Sequence, residues 1–212
     1  MSSVIRVLLI LAALALAGCA TQPYDYTNFR AAHPRSILVL PPINESTEVM
    51  GTYGYLSTVT QPLAEMGYYV FPVAVVDQFL KENGMPTAGE MHQVSLAKVR
   101  EVIGADAVMF ITLKQYGSKF QLVSSVTTVS ANASLVDART GTLLWEGQAT
   151  VQQSPDSSGN FLTDMIAAAI TQAINKKSDA AHGVSRAANA QLFTLQGRGL
   201  LYGPYSPKYA SK

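Results

Sequence analysis

Cysteine is almost missing from this chain: Cys19 is the one thiol in 212 residues. A single thiol excludes an internal disulfide framework and any cysteine-built zinc site. Charge is sparse too, since Asp, Glu, Lys and Arg make up 14% of the residues and the formal net charge is +1. Nucleic-acid binding needs clustered Lys and Arg to neutralise phosphates, and the sequence offers no such cluster. Histidine occurs three times, as His33, His92 and His182. None has an i, i+4 partner, so no zincin-like pair is indicated. The longest apolar run, residues 7–17, falls well short of the roughly 20 residues that a membrane-spanning helix requires.

That short run nevertheless carries the most informative feature. Arg6 precedes it and Leu16-Ala17-Gly18-Cys19 closes it, the order of a bacterial lipoprotein signal: a cation, an apolar segment, small residues at the cut and a thiol to take the lipid. Residues 1–18 are therefore expected to be removed, with Leu16, Ala17 and Gly18 recognised by the signal peptidase and Cys19 lipidated. More than one acyl chain makes such an anchor durable. Removing the leader takes away Arg6 and no acid, which leaves a mature chain of zero formal charge and argues against a polybasic grip on a membrane surface. Ala20 stands where an Asp would favour inner-membrane retention, so the outer membrane, facing the periplasm, is the expected address. The covalent lipid is the one non-protein group expected; no cofactor and no metal are.

Downstream, residues 19–35 lack periodicity and are read as a lipidated tether, although Tyr24, Tyr26 and Phe29 could fold back on the domain. Residues 36–212 are read as one periplasmic α/β domain with a Gly/Pro/Tyr-rich tail. Ile37-Leu38-Val39-Leu40 before two prolines suits a buried strand. Met50, Tyr53, Leu56, Val59, Leu63 and Met66 recur at helical spacing with Pro62 as a point of strain. A strand at 68–71, a helix at 75–80, a loop around Pro86 and Gly89, a helix at 96–103 and a strand at 107–113 follow. Alternation then predicts a long antiparallel hairpin at about 120–152, turned by Arg139-Thr140-Gly141. A polar loop at 154–160 and helices at 161–174 and 181–195 complete the pattern. The expected fold is α/β (α+β-like): a single mixed sheet of about five strands with helices packed on it.

Catalytic constellations are weak. Ser95 and Lys98 fit S-x-x-K, Ser130-Ala131-Asn132 fits S-x-N and Arg139-Thr140-Gly141 approximates K-T-G, the order of a serine acyl-enzyme. Two of the three lie on adjacent hairpin arms, however, and Ser95 is better explained as a helix N-cap. The Gly183–Ala187 stretch misses the last glycine of a nucleophile elbow, and Gly51 with Gly54 is half a phosphate loop. Asp106, Asp137 and Asp164 could be read as an acidic cluster, but Asp137 before a turn and Asp164 in the first turn of a helix have ordinary structural uses. The chain is expected to be no enzyme. Two binding features remain: the Ser/Thr/Asn face of the 122–136 strand, open to edge pairing with a second chain, and the tail tyrosines Tyr202, Tyr205 and Tyr209 as partner contacts. A transmembrane strand would need a pore of many protomers to house its hydroxyl face.

The lipobox at Cys19, the segment Ile37-Leu38-Val39-Leu40-Pro41-Pro42-Ile43-Asn44, the stretch from Pro62 to Pro72 and the hairpin around Asp137-Ala138-Arg139-Thr140-Gly141 together resemble a family of proteobacterial lipoproteins of unassigned function. More distantly, the pattern is similar to the α/β domain shared by the TolB amino-terminal region, the periplasmic domain of the curli-secretion channel and outer-membrane activators of peptidoglycan synthases. The resemblance implies a periplasmic adaptor in an envelope assembly, transport or secretion system, with a regulator of peptidoglycan synthesis as the alternative. It also implies other envelope proteins as partners, self-association as a homodimer or higher oligomer, and no catalytic residues to carry over. No extra barrel-forming hairpins are apparent, which counts against a pore.

Overall fold

A computed structural model describes residues 23–121, 124–153 and 180–209. The elements are α1 (Thr27–Ala32), β1 (Ser36–Val39), β2 (Ile43–Asn44), α2 (Gly51–Glu65), β3 (Tyr69–Val70), α3 (Val73–Glu82), α4 (Ala88–Met91), α5 (Leu96–Val102), β4 (Ala107–Gln121), β5 (Ser124–Asp137), β6 (Leu143–Gln153) and α6 (Ala180–Thr194). They build one mixed six-stranded sheet in the order β3-β1-β4-β5-β6, with β2 continuing the line of β1 along β4. Strands β1, β2 and β3 run parallel to their neighbours, whereas β4, β5 and β6 form an antiparallel meander.

The two covered faces follow from connection handedness. From β1 the chain passes to β3 on one side, then returns to β4 on the other. Right-handed crossovers in opposite directions place their helices on opposite faces. One core accordingly gathers Ile37, Val39, Tyr55, Leu63, Met109, Leu135, Trp145 and Phe193 under α2 and α6. The second gathers Leu38, Leu40, Val76, Leu80, Met91, Val99 and Val108 under α3, α4 and α5. Ile37-Leu38-Val39-Leu40 is wholly buried because its alternate side chains feed both cores, which explains an uninterrupted apolar run in a parallel strand.

Several sequence expectations change. The expected hairpin is the second half of a longer meander: β4 continues to Gln121 through a bulge between Leu113 and Gln115. Ile43–Asn44 is an additional strand made possible when the chain resumes pairing with β4 after Pro41-Pro42. The strand expected at 68–71 shortens to two residues at an exposed edge, paired with β1. The expected loop near Gly89 contains a one-turn helix, set by a capping box in which Thr87 and Glu90 satisfy each other's backbone N–H. Pro62 lies inside α2 without splitting it. The stretch read as a tether, from Tyr24 onward, packs on the domain: α1 buries Phe29, and Tyr24 and Tyr26 lie against the first core. The 154–160 loop, the 161–174 helix and Asp164 lie outside the described residues.

Two polar clusters fasten these layers. Between α2 and α6, Thr58 Oγ1 meets Ser185 Oγ at 2.8 Å and accepts from Asn189 Nδ2 at 2.9 Å, with all three residues buried. Asp106, ahead of β4, accepts from Arg100 at 2.6 Å and from the Ser36 amide and hydroxyl, each at 3.1 Å. Burial raises the Asp106 pKa, but Arg100, the Arg35 amide and the Ser36 hydroxyl outweigh it and hold the carboxyl below its ordinary value. A depressed folded-state pKa stabilises the fold above the unfolded carboxylate value and loses that contribution as pH falls through the folded one. Asp106→Asn is thus expected to lower the urea midpoint at neutral pH, with the gap closing in acid. A gap that stays constant from about pH 7 to about pH 2.5 would show that Asp106 ionisation contributes nothing.

Candidate functional site

One surface forms where α1, the segment around Tyr24 and the tail meet. Tyr24 is fixed here because its hydroxyl accepts from the Glu146 amide at 2.9 Å and the Arg198 guanidinium lies 5.4 Å from its ring centroid. Tyr26 donates to the Gly199 carbonyl; burial, then the neighbouring Tyr24, raises its pKa. After α1, His33 takes a left-handed turn and its Nδ1 meets the Tyr209 hydroxyl at 3.0 Å. Arg35 lies 6.0 Å from the Tyr205 ring centroid, and Lys208 lies 5.3 Å from that of Tyr202. All three tail tyrosines singled out from the sequence thus meet a cation or a histidine of one surface. A hollow of about 280 Å³ opens there, lined by Arg30, His33, Tyr202, Lys208 and Tyr209 among others, with no carboxylate among the described residues that line it.

The tail reaches this place because it crosses the turn after α2. Gly203 N donates to Met66 O at 2.8 Å, and Tyr205 N to Gly67 O at 3.1 Å. The Tyr68 hydroxyl, its pKa pushed up by burial, donates to the Leu201 carbonyl. Sequence reasoning found the tyrosines by composition but missed Arg30, Arg35 and Lys208. Spacing gave no signal for them, because the tail crossing brings them together.

The second candidate surface is the meander. On one face Thr127, Val129, Ala131, Ala133 and Leu135 are buried. On the other, Ser130 and Thr150 share a hydrogen bond of 2.8 Å and Asn132 borders a hollow of about 450 Å³ with Glu146 and Gln148. The alternation expected of this strand is present, and its polar face is half-exposed.

The catalytic candidates are not brought together. Ser95 caps α5 by accepting from the Lys98 amide, and Lys98 pairs with Glu101 at 3.6 Å. Asp137 accepts from the Arg139 and Thr140 amides at 2.7 and 2.9 Å, so the Arg139-Thr140-Gly141 segment is an Asp-anchored turn. Ser130 lies seven residues up β5 from that turn, roughly 23 Å along an extended strand. Ser185 is fully buried within α6, bonded to Thr58. His33, His92 and His182 contact Tyr209, the Pro41 carbonyl and Ser57 respectively, on separate parts of the fold. Among the described residues no group of His, Cys, Asp and Glu could hold a metal ion, and no helix is long and apolar enough to cross a membrane. Leu16, Ala17, Gly18 and Cys19 lie outside the described residues.

A mixed sheet with helices on both faces places the domain in the α/β class. The chain belongs to the GNA1162-like family, described as "Putative lipoprotein GNA1162-like", which matches residues 24–205. It is 43% identical over 198 residues to "Putative lipoprotein NMB1124/NMB1162" of Neisseria meningitidis serogroup B, covering 91% of this chain and 92% of that one. The crystal structure of lipoprotein GNA1162 from Neisseria meningitidis is similar at 47% identity and a TM-score of 0.57, over 66% of this chain and 98% of that one. A PelC dodecamer from Paraburkholderia phytofirmans is similar at 12% identity and a TM-score of 0.49, over 84% of this chain and 96% of that one.

Proposed function

We propose that this chain is a non-enzymatic outer-membrane lipoprotein, anchored through acyl chains on Cys19, whose periplasmic domain is an adaptor in an envelope assembly, transport or secretion system. One observation supports the docking role above the others. Strand β4 is 15 residues long, but its pairing with β1 and β2 reaches only Met109 and Leu113. Beyond Leu113 the loop adds one bond, from Glu45 N to Leu113 O at 2.9 Å. Residues 115–121 then pair with β5 alone among the described residues, and the ladder between β5 and β6 starts only at Thr127. Among the described residues, the meander therefore ends in a two-stranded arm whose outer backbone edge has no ladder partner. Such an edge offers a row of N–H and C=O groups to an added strand, from an envelope protein or a second copy.

The reading is tested by placing a photo-crosslinking residue at exposed Lys119 in the full-length protein in intact cells, with exposed Lys98 on α5 as the control position. Covalent capture of an envelope protein or of a second copy from position 119, but not from 98, is expected. Recovery of the bare monomer alone from position 119 would refute docking through the arm.

A further inference from the structure

We infer that the surface formed by Arg30, Arg35, Lys208, Tyr205 and Tyr209 is a membrane-facing site that takes the anionic phosphate headgroups of the bilayer to which the chain is anchored. The inference rests on the proposed acylation of Cys19 and adds an orientation to it.

Chain length supplies the first argument. Five Cα steps separate Cys19 from Tyr24, at most about 18 Å of chain. Tyr24 is held on the domain by its bond to the Glu146 amide and by Arg198. The lipid attachment point therefore cannot lie far from this side of the molecule. Helix α1 leads from there to His33 in six residues, about 9 Å, and so to the hollow beneath Tyr209.

Charge complementarity supplies the second. Arg30, Arg35 and Lys208 are all exposed, and Arg30 and Lys208 line the hollow together with His33. Three acids lie nearby. Asp106 accepts from the Arg35 amide at 3.1 Å and attracts the Arg35 guanidinium, but it binds Arg100 more closely, at 2.6 Å. Asp25 attracts Arg30 while accepting from the Thr27 amide at 2.8 Å, and Glu146 pairs with Arg198 at 3.5 Å. Among the described residues, Arg30, Arg35, Arg100, Arg198 and Lys208 thus outnumber these acids. The aromatic content supplies the third. Tyr205 and Tyr209 are 61% and 39% exposed, although tyrosine is a side chain whose apolar ring and polar tip suit the level of lipid headgroups. A mature chain of zero net charge hides this local excess, because its cations lie far apart in sequence. Each such cation near an anionic bilayer shifts the bound population about fivefold, enough to orient a tethered domain.

The test uses the mature protein purified from membranes, with its acylation read first by mass spectrometry. It is then reconstituted in vesicles of phosphatidylcholine alone or mixed with phosphatidylglycerol. Amide hydrogen exchange at residues 29–35 and 201–209 is expected to slow by about fivefold in the anionic vesicles at low salt, and to recover at about 0.5 M salt as screening sets in. An R30E/K208E variant should lose the protection, whereas R139E, on the distant turn, should keep it. Equal exchange in both lipids, or protection that survives high salt, would overturn the inference, and neither readout depends on a variant. If Cys19 proves unmodified, the anchor fails separately. Co-sedimentation of that unacylated protein with the anionic vesicles would then still support the surface, and its absence would overturn it.

Discussion

Trp145→Ala is expected to cost about 3–5 kcal/mol of folding stability, which for a chain of this size lowers Tm by about 10 °C. Trp145 is fully buried, lies opposite Leu135 across the ladder and meets the Phe193 ring at 5.9 Å between centroids. Deleting an indole between two rigid layers leaves a cavity that a strand and a helix cannot both close. The indole also holds chain beyond the core, because its Nε1 donates to Arg198 O at 2.9 Å. Through Arg198 it steadies Tyr24 and Glu146, so the loss should spread to the edge where the chain enters the domain. Trp145→Phe separates the two contributions. It keeps most of the ring and forfeits the hydrogen bond, and should cost about 1–2 kcal/mol. Because Trp145 is the only tryptophan, the comparison is made by circular dichroism through urea rather than by fluorescence. An alanine variant within about 1 kcal/mol of the parent would contradict the burial described.

Much of this frame was legible in the residues. The uninterrupted apolar character of β1, the helical spacing of α2 and the alternation of β5 each arise from burial, and burial writes a periodicity. What escaped has a physical reason in each case. Helix α1 buries one side chain, Phe29, so six residues carry no period to detect. The distal half of β4, Lys114-Gln115-Tyr116-Gly117-Ser118-Lys119, is paired on one edge, and the bulge after Leu113 breaks the phase of its side chains, so alternation is lost where the strand leaves the core. Helix α4 did leave a local signal, the Thr87 and Glu90 spacing of a capping box, which hydrophobic periodicity alone does not read.

The candidate sites divide the same way. The lipobox expected at residues 16–19 is a contiguous motif that lies outside the described residues, and a row of tyrosines is visible in composition. The basic surface joins Arg30 and Arg35 to Lys208 across almost the whole chain, and only tertiary structure creates it. Net charge, which averages over the molecule, spoke against a membrane grip for that reason. Ser130 and Arg139 show the opposite case: a suggestive order in sequence that an extended strand holds apart.

The turn that carries the tail across α2 decides whether that basic surface exists, and Gly67→Ala should break it. Gly67 has φ +90°, a left-handed conformation that costs a residue with a Cβ about 1–2 kcal/mol. An added Cβ would also stand 2.7 Å from the Ser206 Cα, with the Ser206 amide closer still. Backbone cannot turn aside as a flexible side chain can, so overpacking adds about 1–3 kcal/mol unless the tail lifts away. Lifting breaks the bonds from Gly203 to Met66 and from Tyr205 to Gly67, and frees Tyr205 and Lys208 from their places beside Arg35 and Tyr202. Gly84→Ala is the control: φ there is +82°, but nothing lies within 4 Å of the added carbon, so it should cost only the conformational strain. The Gly67 variant is expected to exchange its amides at 203–206 faster and to be cleaved sooner between 203 and 209 by a broad-specificity protease, while the Trp145 fluorescence of the folded state stays unchanged. If Gly67→Ala costs no more than Gly84→Ala and leaves those amides protected, the tail does not cross in contact with the turn, and the basic surface loses the device that assembles it.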